Sequence, residues 1–177
     1  MKKKPVNLEK EGHEVHPLVK VVNKGSNPLP TFTKEGDACV DLRADFTNGF
    51  NDTLGTGAAW DDVSKCVHLF SGGRCVIPTG LYTSFNKHFK LEIVSRSGLA
   101  IKHGVIVLNT PGTVDAGYRG EIGVILINLS DDCFDIYQGD RIAQAALIPI
   151  ERFDWKEVDS LDESDRGSGG FGSSGVK

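Results

Sequence analysis

The sequence predicts an all-β fold with one short helix. Three observations carry that expectation. Gly makes up 21 of the 177 residues, well above the usual roughly 7%, which favours a turn-rich β fold. Short β-branched apolar runs recur along the chain, separated by clusters of Gly, Pro, Asn and Asp. A single stretch, around Ser95–Gly104, carries the signs of a helix.

At this length the chain forms one domain, or one domain with a tail, and can bury a substantial core. Hydrophobic content of 39% and charged content of 25% fit a globular protein. The net charge of -4 gives no general reason to bind nucleic acid. A polyanionic ligand must therefore meet a local basic cluster rather than the whole surface. No apolar run approaches about 20 residues, so no membrane span is expected. The basic start, Met-Lys-Lys-Lys-Pro, lacks the apolar core of a signal peptide. The four cysteines, Cys39, Cys66, Cys75 and Cys133, form no CxxC pair and read as reduced, mostly buried thiols of a cytosolic protein. A Cys66–Cys75 bridge is the minor alternative.

In chain order, residues 1–16 read as a polar, flexible arm. His13 and His16 in it are expected to be surface histidines, because no further metal ligands lie nearby. Leu18–Val22 reads as the first strand and Gly25–Pro30 as a loop. Gly36–Leu42 leads small residues into Val40-Asp41-Leu42, a strand whose Asp41 either faces solvent or serves a site. Thr47–Gly73 turns Gly-rich and polar and reads as an inserted surface loop, with a short hairpin of its own and Trp60 as an apolar anchor. Strand character resumes at Val67–Phe70 and Cys75–Ile77. Pro78–Gly80 reads as a turn, followed by strands at Leu81–Phe85 and Phe89–Val94. Ser95 is expected to start the helix and Gly104 to cap its end. Free N–H groups at such a start favour anions, Arg96 adds a forked cation and Ser97 a hydroxyl. Gly120–Leu129 and Cys133–Tyr137 read as strands, and Gly139–Ile150 as a turn feeding a buried strand. Residues 160–177 read as a flexible Gly/Ser-rich tail, unusual in carrying Arg166 and Phe171.

Between the apolar runs Val105–Leu108 and Ile122–Ile127 lies Asn109-Thr-Pro-Gly-Thr-Val-Asp115-Ala-Gly-Tyr118-Arg-Gly120. It reads as a turn joining two strands. A turn beside strands holds side chains in fixed places. Asn109 offers a donor and an acceptor to a base edge, Tyr118 a flat face, and Asp115 a carboxylate able to orient or deprotonate water. An ordinary hairpin with a solvated Asp has the same residue types.

This stretch, with Glu121 and Ile122, resembles the third motif of the trimeric deoxyuridine triphosphatases (dUTPases). Four other segments resemble that family's motifs, in the family's order, from about Pro17 to the end. Gly36–Leu42 resembles the first motif, which implies that Asp41 supports the phosphate and metal region, reaching metal through water. Ser95-Arg96-Ser97-Gly98 resembles the second, Pro-Arg-Ser-Gly, with Ser95 in place of the proline. Gly139-Asp-Arg-Ile-Ala-Gln144 resembles the fourth, and places Gln144 beside the phosphates and the attacking water; the Asp140–Arg141 pair is expected to be structural. Arg166-Gly-Ser-Gly-Gly-Phe171-Gly172-Ser173-Ser174 resembles the fifth, which closes over bound nucleotide.

The resemblance implies a jelly-roll-like β-barrel spanning residues 17–159, with the insert at about 47–73 and the mobile tail at 160–177. It implies a homotrimer with shared active sites that hydrolyses dUTP to dUMP and pyrophosphate, limiting uracil in DNA and supplying dUMP for dTMP synthesis. Location would be cytoplasmic, or nuclear in a eukaryote. Asp115 would activate the water, with Gln144 beside it. Arg96, Ser97, Gly98 and Arg166 would bind phosphates. Asn109 and the backbone around Gly112, Thr113 and Val114 would read uracil, and Tyr118 would press on the deoxyribose and reject UTP. Phe171 would stack on the base, with Gly172, Ser173 and Ser174 adding polar contacts. Mg²⁺ would be held chiefly by the triphosphate. Two alternatives remain. One is a nucleotide-sensing or partner-binding protein on the same scaffold. The other is dCTP deaminase, whose catalytic Glu would fall at Ile125.

Overall fold

A computed structural model describes residues 16–51, 53 and 55–170. Its elements are β1 (Lys20–Asn23), β2 (Val40–Arg43), β3 (Gly55–Asp61), β4 (Cys66–Ser84), β5 (Phe89–Val94), α1 (Ser97–His103), β6 (Val105–Val107), β7 (Gly112–Val114), β8 (Glu121–Asn128), β9 (Phe134–Tyr137) and β10 (Arg141–Pro149). The strands form two antiparallel sheets. One runs β2-β10-β5-β7; the other runs β1-β4-β8-β6, with β3 and β9 also paired to β4. The expected all-β, jelly-roll-like architecture with one short helix is therefore present, as two facing sheets whose hydrogen bonding does not close into one barrel.

The core lies between the sheets and follows from the period-2 alternation of strand side chains. Ile122, Val124 and Leu126 of β8 face Ile93 of β5, Leu42 of β2 and Ala143 and Ala145 of β10 in one buried cluster. The 47–73 interval does contain a hairpin, β3 against the first half of β4. Trp60 anchors it, its ring 5.2 Å from Phe46 and 6.4 Å from Phe50. The hairpin is more than a surface loop, because Val67 and Leu69 are fully buried in the core. A Cβ on Gly73 would collide with the Gly57 carbonyl, so the ribbon can bend there only with glycine.

Pro78–Gly80 is a bulge inside one 19-residue strand rather than a turn between two. The register against β8 shifts between Pro78 and Tyr82. Partners from β8 satisfy the displaced backbone: Thr79 N–H and Gly80 N–H donate to Glu121 Oε1 at 3.1 and 2.7 Å, and the Thr79 hydroxyl donates to Ile122 O at 2.6 Å. All four thiols are free, as expected, with no Cys66–Cys75 bridge, but only Cys66 and Cys75 are buried; Cys133 is exposed.

Asp45, 3% exposed, ties the β1–β2 loop to the end of β2. Its carboxylate accepts from Ser26 N–H (2.7 Å), Asn27 N–H (3.1 Å) and Thr47 N–H (3.0 Å). A Cβ on Gly25 would run into that carboxylate. Burial pushes the Asp45 carboxyl up, but the hydrogen bonds from Thr47, Asn27 and Ser26 outweigh it and hold the group below the usual carboxylate value. A lowered folded-state value stabilises the fold above the unfolded value of about 3.9, and this contribution is lost as pH falls through the folded value. Asp45→Asn is expected to cost about 1–3 kcal/mol at neutral pH. Urea unfolding at neutral and acidic pH should show the variant losing less stability on acidification than wild type; equal losses would remove Asp45 from this role.

Candidate active site

Asp41 is the hub of one cluster. Strand register sets Asp41 opposite Gln144, and Gln144 opposite Val94, so β2, β10 and the end of β5 bring motif residues far apart in sequence into one row. Asp41 Oδ1 accepts from Arg96 Nε at 3.0 Å and Gln144 Nε2 at 3.4 Å; Oδ2 accepts from Arg141 Nη1 at 3.2 Å. Arg96 Nη1 also donates to Arg141 O at 3.0 Å. Partly exposed pairs of this kind add little stability. Their effect is positional: one carboxylate orients two guanidinium forks and leaves a net positive charge. A small cleft lined by Asp41, Arg43, Arg141 and Pro30 opens beside it. On a chain of net charge -4, this is a local basic cluster suited to phosphate.

Arg141 was not among the expected site residues. Asp140 and Arg141 do not pair with one another: Asp140 Oδ2 accepts from Tyr137 N–H, and Arg141 turns to Asp41. The usable signal was a forked cation at the start of the strand that carries Gln144.

The helix begins one residue later than expected. Arg96 is its N-cap, in an extended backbone conformation, and no side chain caps it. Ser95 instead accepts from Val107 N–H at 2.9 Å, tying the end of β5 to β6. Gly104 caps the other end at φ 64°, as expected. The uncapped start leaves first-turn N–H groups for an external acceptor. A Cβ at Gly98 would meet nothing within 4 Å, so packing within the chain does not require glycine there.

The Asn109–Gly120 stretch does not simply turn between two paired strands. It leaves β6 in one sheet, runs through a cis Thr110–Pro111 bond, pairs as β7 with β5 in the other sheet, and returns as β8. Gly112 lies under the Asn109 amide: a Cβ there would sit 3.3 Å from both Asn109 Nδ2 and Ile93 Cβ. Thr113 is exposed and Val114 half-buried. Tyr118 N–H donates to Asp115 O at 3.0 Å and closes a tight turn. The Tyr118 hydroxyl donates to Glu121 O at 3.0 Å, leaving the ring 47% exposed. Arg119 donates to the carbonyls of Ala116 and Tyr118, both at 2.7 Å, and so braces the turn. The Asp115 carboxylate is exposed and has no partner among the described residues. It is open to water.

These two groups do not meet within one chain. Gln144 is level with Val94, whereas β7 leaves the sheet at Val114, opposite Leu91, with Asp115 one residue further. Four residues of strand separate the two levels, about 13 Å at roughly 3.3 Å per residue. Arg166 lies in a third place, in the exposed segment after β10, where its Nε donates to Gly169 O at 2.8 Å. Phe171, Gly172, Ser173 and Ser174 lie outside the described residues.

Comparison with known proteins identifies the family. The dUTPase family model matches residues 62–175. A deoxyuridine 5'-triphosphate nucleotidohydrolase of Finegoldia magna is 40% identical over 157 residues, covering 89% of this chain and 98% of that protein. The fold is shared with a Staphylococcus bacteriophage 80alpha dUTPase mutant solved with dUpNHpp (TM-score 0.72, 23% identity, 90% of this chain and 99% of that one). It is shared also with a phage phi11 dUTPase mutant described with a structural Mg(II) ion (TM-score 0.65, 19% identity, 82% and 99%). On the family match and the extent of identity to the Finegoldia protein, this chain belongs to the dUTPase family.

Proposed function

We propose that this chain hydrolyses dUTP to dUMP and pyrophosphate in a homotrimer whose active sites combine residues from different subunits. The observation that carries the reading is the Asp41-centred cluster of Arg96, Arg141 and Gln144, a preset cationic seat for a triphosphate. Separation of this cluster from Asp115 supports sites completed across subunits. So do Phe153 and Trp155, in contact with each other but 73% and 91% exposed on the segment after β10. Bulky exposed aromatics of this kind suit burial against a neighbour.

In the proposed reaction Asp115 accepts a proton from water as the water oxygen bonds to the α-phosphorus. The bond from that phosphorus to the bridging oxygen breaks and pyrophosphate leaves. Arg96, Arg141 and Arg166 offset the charge developing on the phosphates, and Gln144 helps place the water. Asn109 and the backbone around Gly112 bind the uracil edge, and Tyr118 excludes a 2′-hydroxyl. Both Asp41 oxygens already accept N–H donors, which disfavours direct metal ligation there. Mg²⁺ would be held by triphosphate oxygens, with Asp41 reached through water, and would add positive charge to the phosphates. Deamination of dCTP is disfavoured: Ile125, at the position of the deaminase Glu, is an apolar residue of β8 paired with Val76.

Incubation with dUTP, UTP, dCTP and dTTP plus Mg²⁺, with products separated, tests the assignment. The expected result is dUMP and pyrophosphate from dUTP, with little turnover of the others. Ammonia from dCTP, or no hydrolysis of dUTP, would overturn it. No helix among the described residues is long and apolar enough to cross a membrane.

A further inference from the structure

The outward face of the β3–β4–β9 ribbon holds a second concentration of chemistry. Strand register places it: His68 of β4 is paired with Asp135 of β9, and Cys66 of β4 lies between Asp61 of β3 and Tyr137 of β9. Val67 and Leu69 point into the core, so Cys66 and His68 point away from it. Even so, Cys66 is 0% exposed and is not part of the core cluster.

The ligand atoms of Cys66, His68 and Asp135 lie within 4.8 Å of one another. His68 Nδ1 is 2.6 Å from Asp135 Oδ1. Cys66 Sγ lies beside the ring, 3.9 Å from Nδ1 and 4.0 Å from Nε2, so the ring must turn to aim Nδ1 at an ion shared with the thiol. Cys133 Sγ lies outside that set of three but 3.8 Å from Asp135 Oδ1, and it would join the ion by rotation of its exposed side chain. The other ring nitrogen, His68 Nε2, is 3.4 Å from Asp61 Oδ2. Asp61 is itself fixed by the Ser64 hydroxyl at 2.7 Å and Val63 N–H at 2.7 Å. A carboxylate behind a histidine, orienting its ring from the side away from the ion, is the recurring outer arrangement of metal-binding histidines.

We propose that Cys66, His68, Cys133 and Asp135 bind one zinc ion on this ribbon, with Asp61 orienting His68. Two sulfurs, one imidazole and one carboxylate suit tetrahedral Zn²⁺ and do not suit Mg²⁺, which demands oxygen ligands. An ion at about 2.0–2.1 Å from both His68 Nδ1 and Asp135 Oδ1 requires those atoms to part to roughly 3.3 Å, a side-chain adjustment at the half-exposed Asp135. The ion would join β9 to β4 beside the hairpin, on a set of residues separate from Asp41, Arg96, Asp115 and Gln144. The proposal does not depend on the nucleotide chemistry.

The test uses the full untagged chain, reduced with a non-thiol phosphine and stripped with a chelator. Dialysis against Zn²⁺ with excess Mg²⁺, followed by elemental analysis, is expected to leave one zinc per chain. Substitution by Co²⁺ is expected to give the intense visible bands of a tetrahedral ion and a thiolate-to-cobalt charge-transfer band. Cys133→Ser and His68→Ala, both at sites reachable by solvent, should each weaken zinc binding by more than about 100-fold, beyond the usual cost of losing an outer partner, while dUTP turnover with Mg²⁺ is unchanged. Circular dichroism checks that each variant is folded. Zinc removed by dialysis, cobalt spectra without thiolate bands, or folded variants that bind zinc as wild type does would overturn the proposal.

Discussion

Asp115→Asn is expected to lower dUTP turnover by roughly 10²-fold or more, the scale of losing a general base, while KM and the affinity for a non-hydrolysable analogue change little. The structure makes this substitution informative. The Asp115 carboxylate is exposed and accepts no hydrogen bond within the described chain, so nothing in the fold depends on its charge. The turn is held instead by backbone and neighbours: Tyr118 N–H on Asp115 O, and the Arg119 fork on the Ala116 and Tyr118 carbonyls. An amide of the same shape preserves that turn but cannot take a proton from water. Stability should move by no more than about 0.5 kcal/mol, as for other exposed positions free of special roles. Steady-state kinetics by pyrophosphate release, with analogue binding by calorimetry, separates the two effects. A fall in kcat alone marks an interaction used in the transition state; a nearly normal kcat would transfer the base role to another group.

Local pattern made most of the architecture legible. β5, β8 and β10 announce themselves as β-branched and apolar runs bounded by turn residues, and α1 ends at the expected glycine. What escaped was what distant residues decide. Pro78, Thr79 and Gly80 have the composition of a turn, yet Glu121, some forty residues on, supplies the acceptor that lets β4 run through them as a bulge. Ser95 has the chemistry of a helix cap, yet β6 offers its hydroxyl a better-placed N–H. In the site, Asp41, Arg96 and Gln144 were named from their motifs and do converge. Arg141 escapes the motif because its partner lies 100 residues away, while Asp140 stands beside it in the sequence. The spacing between Asp115 and Gln144 depends on strand register, which the motifs do not encode. For the same reason, Cys66 and His68 looked unrelated to Cys133 and Asp135 until β9 was seen to pair with β4.

Removing every residue after Asp165 is expected to abolish most hydrolysis and to leave the two sheets intact. The segment from residue 151 to residue 170 forms no strand and is almost wholly exposed, and the core cluster draws nothing from it. Its loss should therefore leave the unfolding midpoint close to that of the full chain. Function is expected to respond differently. Among the described residues Arg166 donates only to Gly169 O, in a local turn. Brought over a triphosphate, the same guanidinium would meet charge that the Asp41 cluster reaches from the other side. Ordering such a segment costs conformational entropy, roughly 1–2 kcal/mol per residue fixed. Closure is then favourable only when the ligand presents all of its phosphates, and dUMP should not hold the tail down. The truncated chain should lose roughly 10²-fold or more in kcat/KM for dUTP, the scale of a lost transition-state donor, with dUMP affinity nearly unchanged. Arg166→Ala in the full chain separates charge from closure: if the phosphate contact dominates, it reproduces most of the defect. A truncated protein that hydrolyses dUTP at the normal rate would show that the nucleotide is gripped without the tail.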